Sequence, residues 1–170
     1  MKKTITILML IAAFMVGSAT AEAKTSKKSS GSSLTLKSLT SKFYNKTSNV
    51  FNISQSQITS AMKELGFTFQ GTGSGSVYDE INQSWEPATK LTYKKSGVTA
   101  EVYKYQYGSL CKISLKFASS SSAKAFISSS KKALGSSLRG NSSYYYVKNY
   151  DCWSMTQSGS TVNITLEEYQ

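Results

Sequence analysis

Histidine is absent from all 170 residues. Its absence excludes the Ser-His-Asp and Cys-His nucleophile systems and every His-ligated metal site. Cysteine is scarce: Cys111 and Cys152 are the two present, too few to hold a structural zinc alone. Carboxylate pairs and Ser-Lys pairs survive as formal catalytic devices, but no motif assembles either. No metal, cofactor or enzymatic activity is therefore expected. Past the N-terminus no stretch is apolar enough to span a bilayer, so the mature chain is expected to have no transmembrane segment.

The N-terminus has the layout of a secretory signal. Lys2 and Lys3 form a positive start, Ile5 to Val16 is a short apolar run, and Ala19-Thr20-Ala21 and Ala21-Glu22-Ala23 match the A-x-A cleavage pattern. Residues 1–21 are read as a signal peptide, which predicts an exported protein, periplasmic or extracellular. No cysteine near the cleavage site offers a lipid anchor. In such a compartment disulfides persist, and a Cys111–Cys152 bridge is expected. It would close a loop of roughly 40 residues, worth about 4 kcal/mol in the chain-entropy model.

The formal net charge of +11 falls mostly outside the expected domain. Lys2 and Lys3 leave with the signal. Lys24, Lys27, Lys28, Lys37, Lys42 and Lys46, set against Glu22, contribute +5, which leaves +4 for residues 47–170. Residues 22–50 are rich in Ser, Thr and Lys and poor in apolar side chains. They read as a flexible basic tail whose removal up to residue 46 leaves the fold intact. Leu34, Leu36 and Leu39 offer that tail a way to dock a short segment. Residues 51–170 make one domain.

Within that domain, Ile58, Ala61, Met62 and Leu65 fall on one helical face over Gln55–Leu65, with Ser54 and Gln57 fitting a capping box and Gly66 a C-terminal stop. A strand is expected near Phe67–Gln70, then a flexible loop through Gly71, Gly73 and Gly75. This glycine run lacks the following Lys-Ser/Thr and helix that a phosphate loop requires. Strands near Lys90–Lys95, Val98–Tyr107 and Leu110–Phe117, joined at Ser96-Gly97 and Gly108-Ser109, read as an antiparallel meander. Val98, Ala100 and Val102 alternate with Glu101, Tyr103, Tyr105 and Tyr107. Cys111, Ile113, Leu115 and Phe117 alternate with Lys112, Ser114 and Lys116, as in a half-buried sheet. A second helix over Ser121–Leu134 lines Ala123, Phe126, Ile127, Ser130 and Leu134 on one face. Three strands follow near Ser143–Val147, Cys152–Gln157 and Thr161–Glu168.

The two halves look alike. With Ile58 aligned on Ile127, Lys63 meets Lys132, Leu65 meets Leu134, Gly66 meets Gly135, and Trp85 roughly meets Trp153. Ser96-Gly97 then meets Ser158-Gly159. The fold class expected is α+β, two helices packed on one face of a mostly antiparallel β-sheet, with two αβββ-type repeats at 54–107 and 121–169.

Candidate binding residues follow from alternation. Tyr103, Tyr105 and Tyr107 share a strand face beside Lys112 and Lys116, and aromatics next to lysines suit an anionic glycan or an acidic protein surface. Asp79, Glu80 and Glu86 cluster around Trp85 in what reads as a long connection, the composition of a glycosidase subsite with nothing to set the carboxylate separation. Calcium binding is disfavoured, because the spacing is not that of an EF-hand. Nucleic acid is an unexpected partner for an exported chain. Sequons such as Asn45-Lys46-Thr47 are expected to be idle. The function read from these features is a small exported binding domain. The alternatives are an envelope-polysaccharide hydrolase using loop carboxylates and an inhibitor-like protein-binding module. Oligomeric state has no signature.

Overall fold

Alternation of apolar and polar side chains along the strands, and stripes of apolar ones along the helices, divide the molecule into two layers. The computed structural model describes residues 33–79, 82–140, 144–147 and 153–166. One layer is an antiparallel sheet. Its strands are β1 (Thr68–Asp79), β2 (Ser84–Lys95), β3 (Val98–Tyr105), β4 (Leu110–Phe117), β5 (Leu138–Gly140), β6 (Tyr144–Val147), β7 (Trp153–Ser158) and β8 (Thr161–Leu166). Their order across the sheet is β1-β2-β3-β4-β8-β7-β6-β5. The other layer holds α1 (Leu36–Tyr44), α2 (Gln55–Glu64) and α3 (Ser120–Leu134), all on one face. The fold is α+β, with helices packed on one side of an antiparallel sheet.

Local chemistry accounts for the helices. Ser54 and Gln57 form the expected capping box of α2, and Ser119 caps α3 through the Ser122 amide. Gly66 and Gly135 follow the two helices with positive φ, where a side chain would be strained. Helix α1 begins with a Thr35–Ser38 capping box and buries Leu36, Leu39 and Phe43. It packs between the other two helices. The buried Ser130 hydroxyl of α3 accepts a 2.8 Å hydrogen bond from the Leu36 amide, and the Phe43 ring meets the edge of Trp153 at 6.3 Å. From α2, Glu64 accepts from Lys42 at 3.0 Å and from Lys46. This corrects the expectation of a tail through residue 50. Three side chains at i, i+3 and i+7 are each worth about 1.5–3 kcal/mol when fully buried, so this segment belongs to the core despite its Ser and Lys content. Residues 22–32 lie outside the described residues, as do the signal and its cleavage sites.

One core runs between the layers. Leu91, Tyr93, Ala100, Val102, Ile113, Leu115, Val162 and Ile164 from the sheet meet Ile58, Met62, Phe126 and Ile127 from the helices.

By chain order a helix and a four-strand meander occur twice, α2-β1-β2-β3-β4 and α3-β5-β6-β7-β8, and their last strands pair at β4 and β8. Each unit thus has one strand more than the expected αβββ. Gly66 and Gly135 keep equivalent places behind their helices. Trp85 does not match Trp153, since the first lies in β2 and the second in the third strand of its meander. Ser96-Gly97 turns β2 into β3, whereas Ser158-Gly159 turns β7 into β8. The match after the helices slips by one strand, because the short β5 has no pattern long enough to register.

Candidate functional site on the uncovered sheet face

Side chains opposite the core alternate with those in it, and no described element covers them. Register arranges them in rows across the strands. Lys94, Thr99, Lys116 and Thr161 form one row; Thr92, Glu101, Ser114 and Asn163 form the next; Lys90, Tyr103, Lys112 and Thr165 form a third. Ser114 donates to the Asn163 side-chain oxygen at 3.0 Å across the β4–β8 seam.

Tyr103 is the centre of the most ordered group. Its hydroxyl donates to Glu101 at 2.8 Å, and the Lys90 ammonium lies 3.3 Å from the other Glu101 oxygen. The Lys112 ammonium sits 5.6 Å from the centre of the Tyr103 ring, within cation–π range. Burial opposes the Glu101 charge, but the bonds from Tyr103 and Lys90 outweigh it and hold the carboxyl below its usual range. Burial, helped by the bond to Glu101, pushes Tyr103 up to about 12.

The ring lies across the sheet because β1 carries glycine beneath it. A Cβ added to Gly75 would sit 2.9 Å from the Tyr103 ring. The run expected to be a loop is therefore strand. Gly71, Gly73 and Gly75 pair with Thr92, Lys90 and Ala88, and place a lane without side chains on the open face.

A bulge between β3 and β4 corrects a second expectation. Tyr103 pairs with Lys112 and Lys104 with Leu110, so Cys111 is the extra residue. Leu110 takes the core position. Cys111 turns to the open face, where it packs with Val77, Ala88, Tyr103 and Tyr105. It is a buried free thiol donating to the Tyr103 carbonyl at 3.2 Å, and burial pushes its pKa up to about 12. Its expected disulfide partner, Cys152, lies outside the described residues.

Tyr105 and Tyr107 stack at 4.9 Å with their planes 16° apart. Tyr107 lies beyond the end of β3 and is 74% exposed. Tyr105 is raised to about 12 by burial and by nearby negative charge, that of Asp79 and Glu86 included. The face is thus graded, with Lys94 and Lys116 towards one end and the two acids towards the other. All five expected binding residues meet on this face: Tyr103, Lys112 and Lys116 within the rows, Tyr105 and Tyr107 at its acidic end. Lys90, Lys94 and Gly75 belong with them; the alternation of Lys90, Thr92 and Lys94 against Leu91 and Tyr93 could have shown the two lysines.

The acidic cluster around Trp85 does not form as expected. Trp85 and Glu86 are successive strand residues and project to opposite sides. Trp85 meets Tyr78 edge-on at 5.5 Å and is 69% exposed. Glu86 accepts from Ser84 at 2.7 Å, while both Asp79 oxygens accept from Asn82 and tie the β1–β2 turn. Glu80 lies outside the described residues.

A depression of about 320 Å³ lies at the β2–β3 turn, lined by Lys94, Lys95, Thr99 and Lys116. Lys95 is already engaged there, donating to the Leu65 carbonyl at 2.8 Å. Among the described residues no cluster of Cys, Asp or Glu could hold a metal ion, and no helix is long and apolar enough to cross a membrane. Comparison with protein-family models, with curated proteins and with solved structures gave no match.

Proposed function

We propose that this chain is an exported, non-enzymatic binding module that holds an anionic glycan on the open face of its sheet. The observation that carries the reading is the Tyr103 group: an aromatic ring laid flat over a glycine, with Lys112 above it and Lys90 beside it. Sugar rings stack on such surfaces, and ammonium groups at their rim meet carboxylate or sulfate substituents. Tyr105 and Tyr107 extend the aromatic surface, and Lys94 and Lys116 extend the charge. Low relief over the glycine lane suits an extended chain better than a compact ligand. The signal-like N-terminus supports export, and N-terminal sequencing of secreted protein should begin at residue 22 or 24.

Affinity electrophoresis through a polyuronate, with neutral dextran as control, tests the reading. The polyuronate should retard the protein and dextran should not. Changing Tyr103 and Tyr105 together to Ser should abolish the retardation while circular dichroism keeps the folded spectrum. Changing Lys112 and Lys116 to Ala should weaken it and flatten its salt dependence, because exposed charges are screened within roughly 8 Å at physiological salt. Unaltered retardation in the tyrosine variant overturns the assignment. Retention on an acidic polypeptide but not on the polyuronate replaces the glycan with an acidic protein surface.

A further inference from the structure

The sheet ends on one side at β5, a strand of three residues, and on the other at β1, a strand of twelve. No described strand pairs with the outer edge of β1. Long edges are ordinarily blunted by lysine, proline or inward charge. Thr68–Asp79 holds neither lysine nor proline, and its one charged residue, Asp79, is at its end. Two partly exposed aromatics flank the strand: Phe69 at 39% and Tyr78 at 40%.

We propose that β1 pairs with β1 of a second copy of this chain, antiparallel about a two-fold axis through Ser74, so that two sheets join edge to edge. The register is self-consistent in the side each residue faces. Thr72 falls opposite the partner's Ser76, and Gly73 opposite the partner's Gly75, so small residues meet along the centre. Near the strand start the pairing steps by one, because Gln70 is the extra residue of a bulge between Phe69 and Gly71. Phe69 then falls opposite the partner's Tyr78, on the side facing the helices, and each exposed aromatic gains a cross-strand neighbour. On the other side Thr68 falls opposite the partner's Asp79. Thr68 pairs with Lys94 in its own sheet, so Lys94 lies two strand spacings, about 10 Å, from that carboxylate, within reach of its side chain. Two aromatic contacts and two charge pairs follow from one symmetric register. That complementarity favours a second copy over an unrelated extended peptide. The inference is independent of any ligand on the open face.

The test is the mass in solution together with position-specific cross-linking. Light scattering at sub-millimolar concentration should give a dimer. In a Cys152→Ser background, Ser74→Cys should form an intermolecular disulfide on mild oxidation, since residues paired across the axis have Cα atoms about 4.5–5.5 Å apart. Ser76→Cys, which faces Thr72, should not. Ser74→Lys sets two like charges on the axis and should weaken association about tenfold or more, with the circular dichroism spectrum unchanged. A monomer at every concentration overturns the proposal and leaves the edge to another partner. Equal cross-linking at 74 and 76 overturns it as well.

Discussion

Lys90 and Leu91 are neighbours on one strand and belong to different chemistries. Leu91 is sealed under the helices with Val102, Ile113 and Met62, whereas Lys90 lies half exposed beside Glu101 and Tyr103. The same contrast runs along β3, β4 and β8. On the covered face each side chain has neighbours from another layer, so shape and volume decide what is tolerated. On the open face the contacts are lateral, between residues of adjacent strands, and replacing one side chain disturbs one or two others. Stability therefore resides on one face, which leaves the other free to vary its chemistry without losing the fold.

The largest effects should come from helix α1, which turns the covered face into a sealed core. Phe43→Ala and Leu39→Ala should each cost about 2–5 kcal/mol in urea unfolding, the range for large core side chains cut to alanine. Thr92→Ala and Lys112→Ala on the open face should stay within about 0.5 kcal/mol. A chain beginning at residue 47 should lose its cooperative transition altogether. If it unfolds like the full chain, α1 is an appendage and the contrast between faces is weaker than drawn.

Helix α1 also shows where the sequence was legible. Helices α2 and α3 announce themselves with full apolar stripes, a serine cap and a closing glycine. In α1 the stripe narrows to Leu36, Leu39 and Phe43, and its capping box uses Ser38 in place of Glu or Gln. Lysines and serines around it outweigh that stripe in composition, although its spacing was visible. The glycines of β1 misled for a different reason: glycine usually breaks a strand, and only the approach of Tyr103 from two strands away explains their place. That contact is tertiary and has no local trace. The Cys111 bulge is of the same kind, since alternation continues on either side of it. Tyr103, Tyr105, Lys112 and Lys116 could be assigned to the open face because period-two alternation is a local property of the backbone.

A middle-sized effect sharpens the comparison at Gly75. On the covered face a cavity is the hazard; here it is an added atom. Gly75→Ala should destabilise by about 1 kcal/mol, in the lower part of the overpacking range, because the new methyl group displaces the Tyr103 ring. In a Tyr103→Ala background the obstacle is gone and the backbone there is ordinary strand. The same Gly75→Ala should then be neutral or stabilising by about 0.4–1 kcal/mol through the unfolded chain. A double-mutant cycle reads the coupling directly. Equal costs in both backgrounds would show that the glycine serves the strand and not the ring.

The smallest effect lies in alkali and separates two causes on the open face. Tyr103 and Tyr105 are both pushed up to about 12, against 10.0 for a free tyrosine. A group whose folded pKa is raised binds its proton more firmly when folded. Its contribution is therefore complete below pH 10 and lost as pH rises towards 12. Both rings remain partly solvated, so the loss should be a modest slope in stability and not a collapse. Absorbance titration of tyrosinate should show two late ionisations, with circular dichroism confirming that the fold persists. Burial comes first for both residues, but their second causes differ: Tyr103 has its bond to Glu101, and Tyr105 has the surrounding negative charge. Glu101→Gln should therefore bring Tyr103 down while Tyr105 keeps its late ionisation, and Tyr103→Phe should remove one late step. If Glu101→Gln shifts both rings equally, the carboxylate acts as a field over the whole face, and the hydrogen bond to Tyr103 is not what distinguishes it.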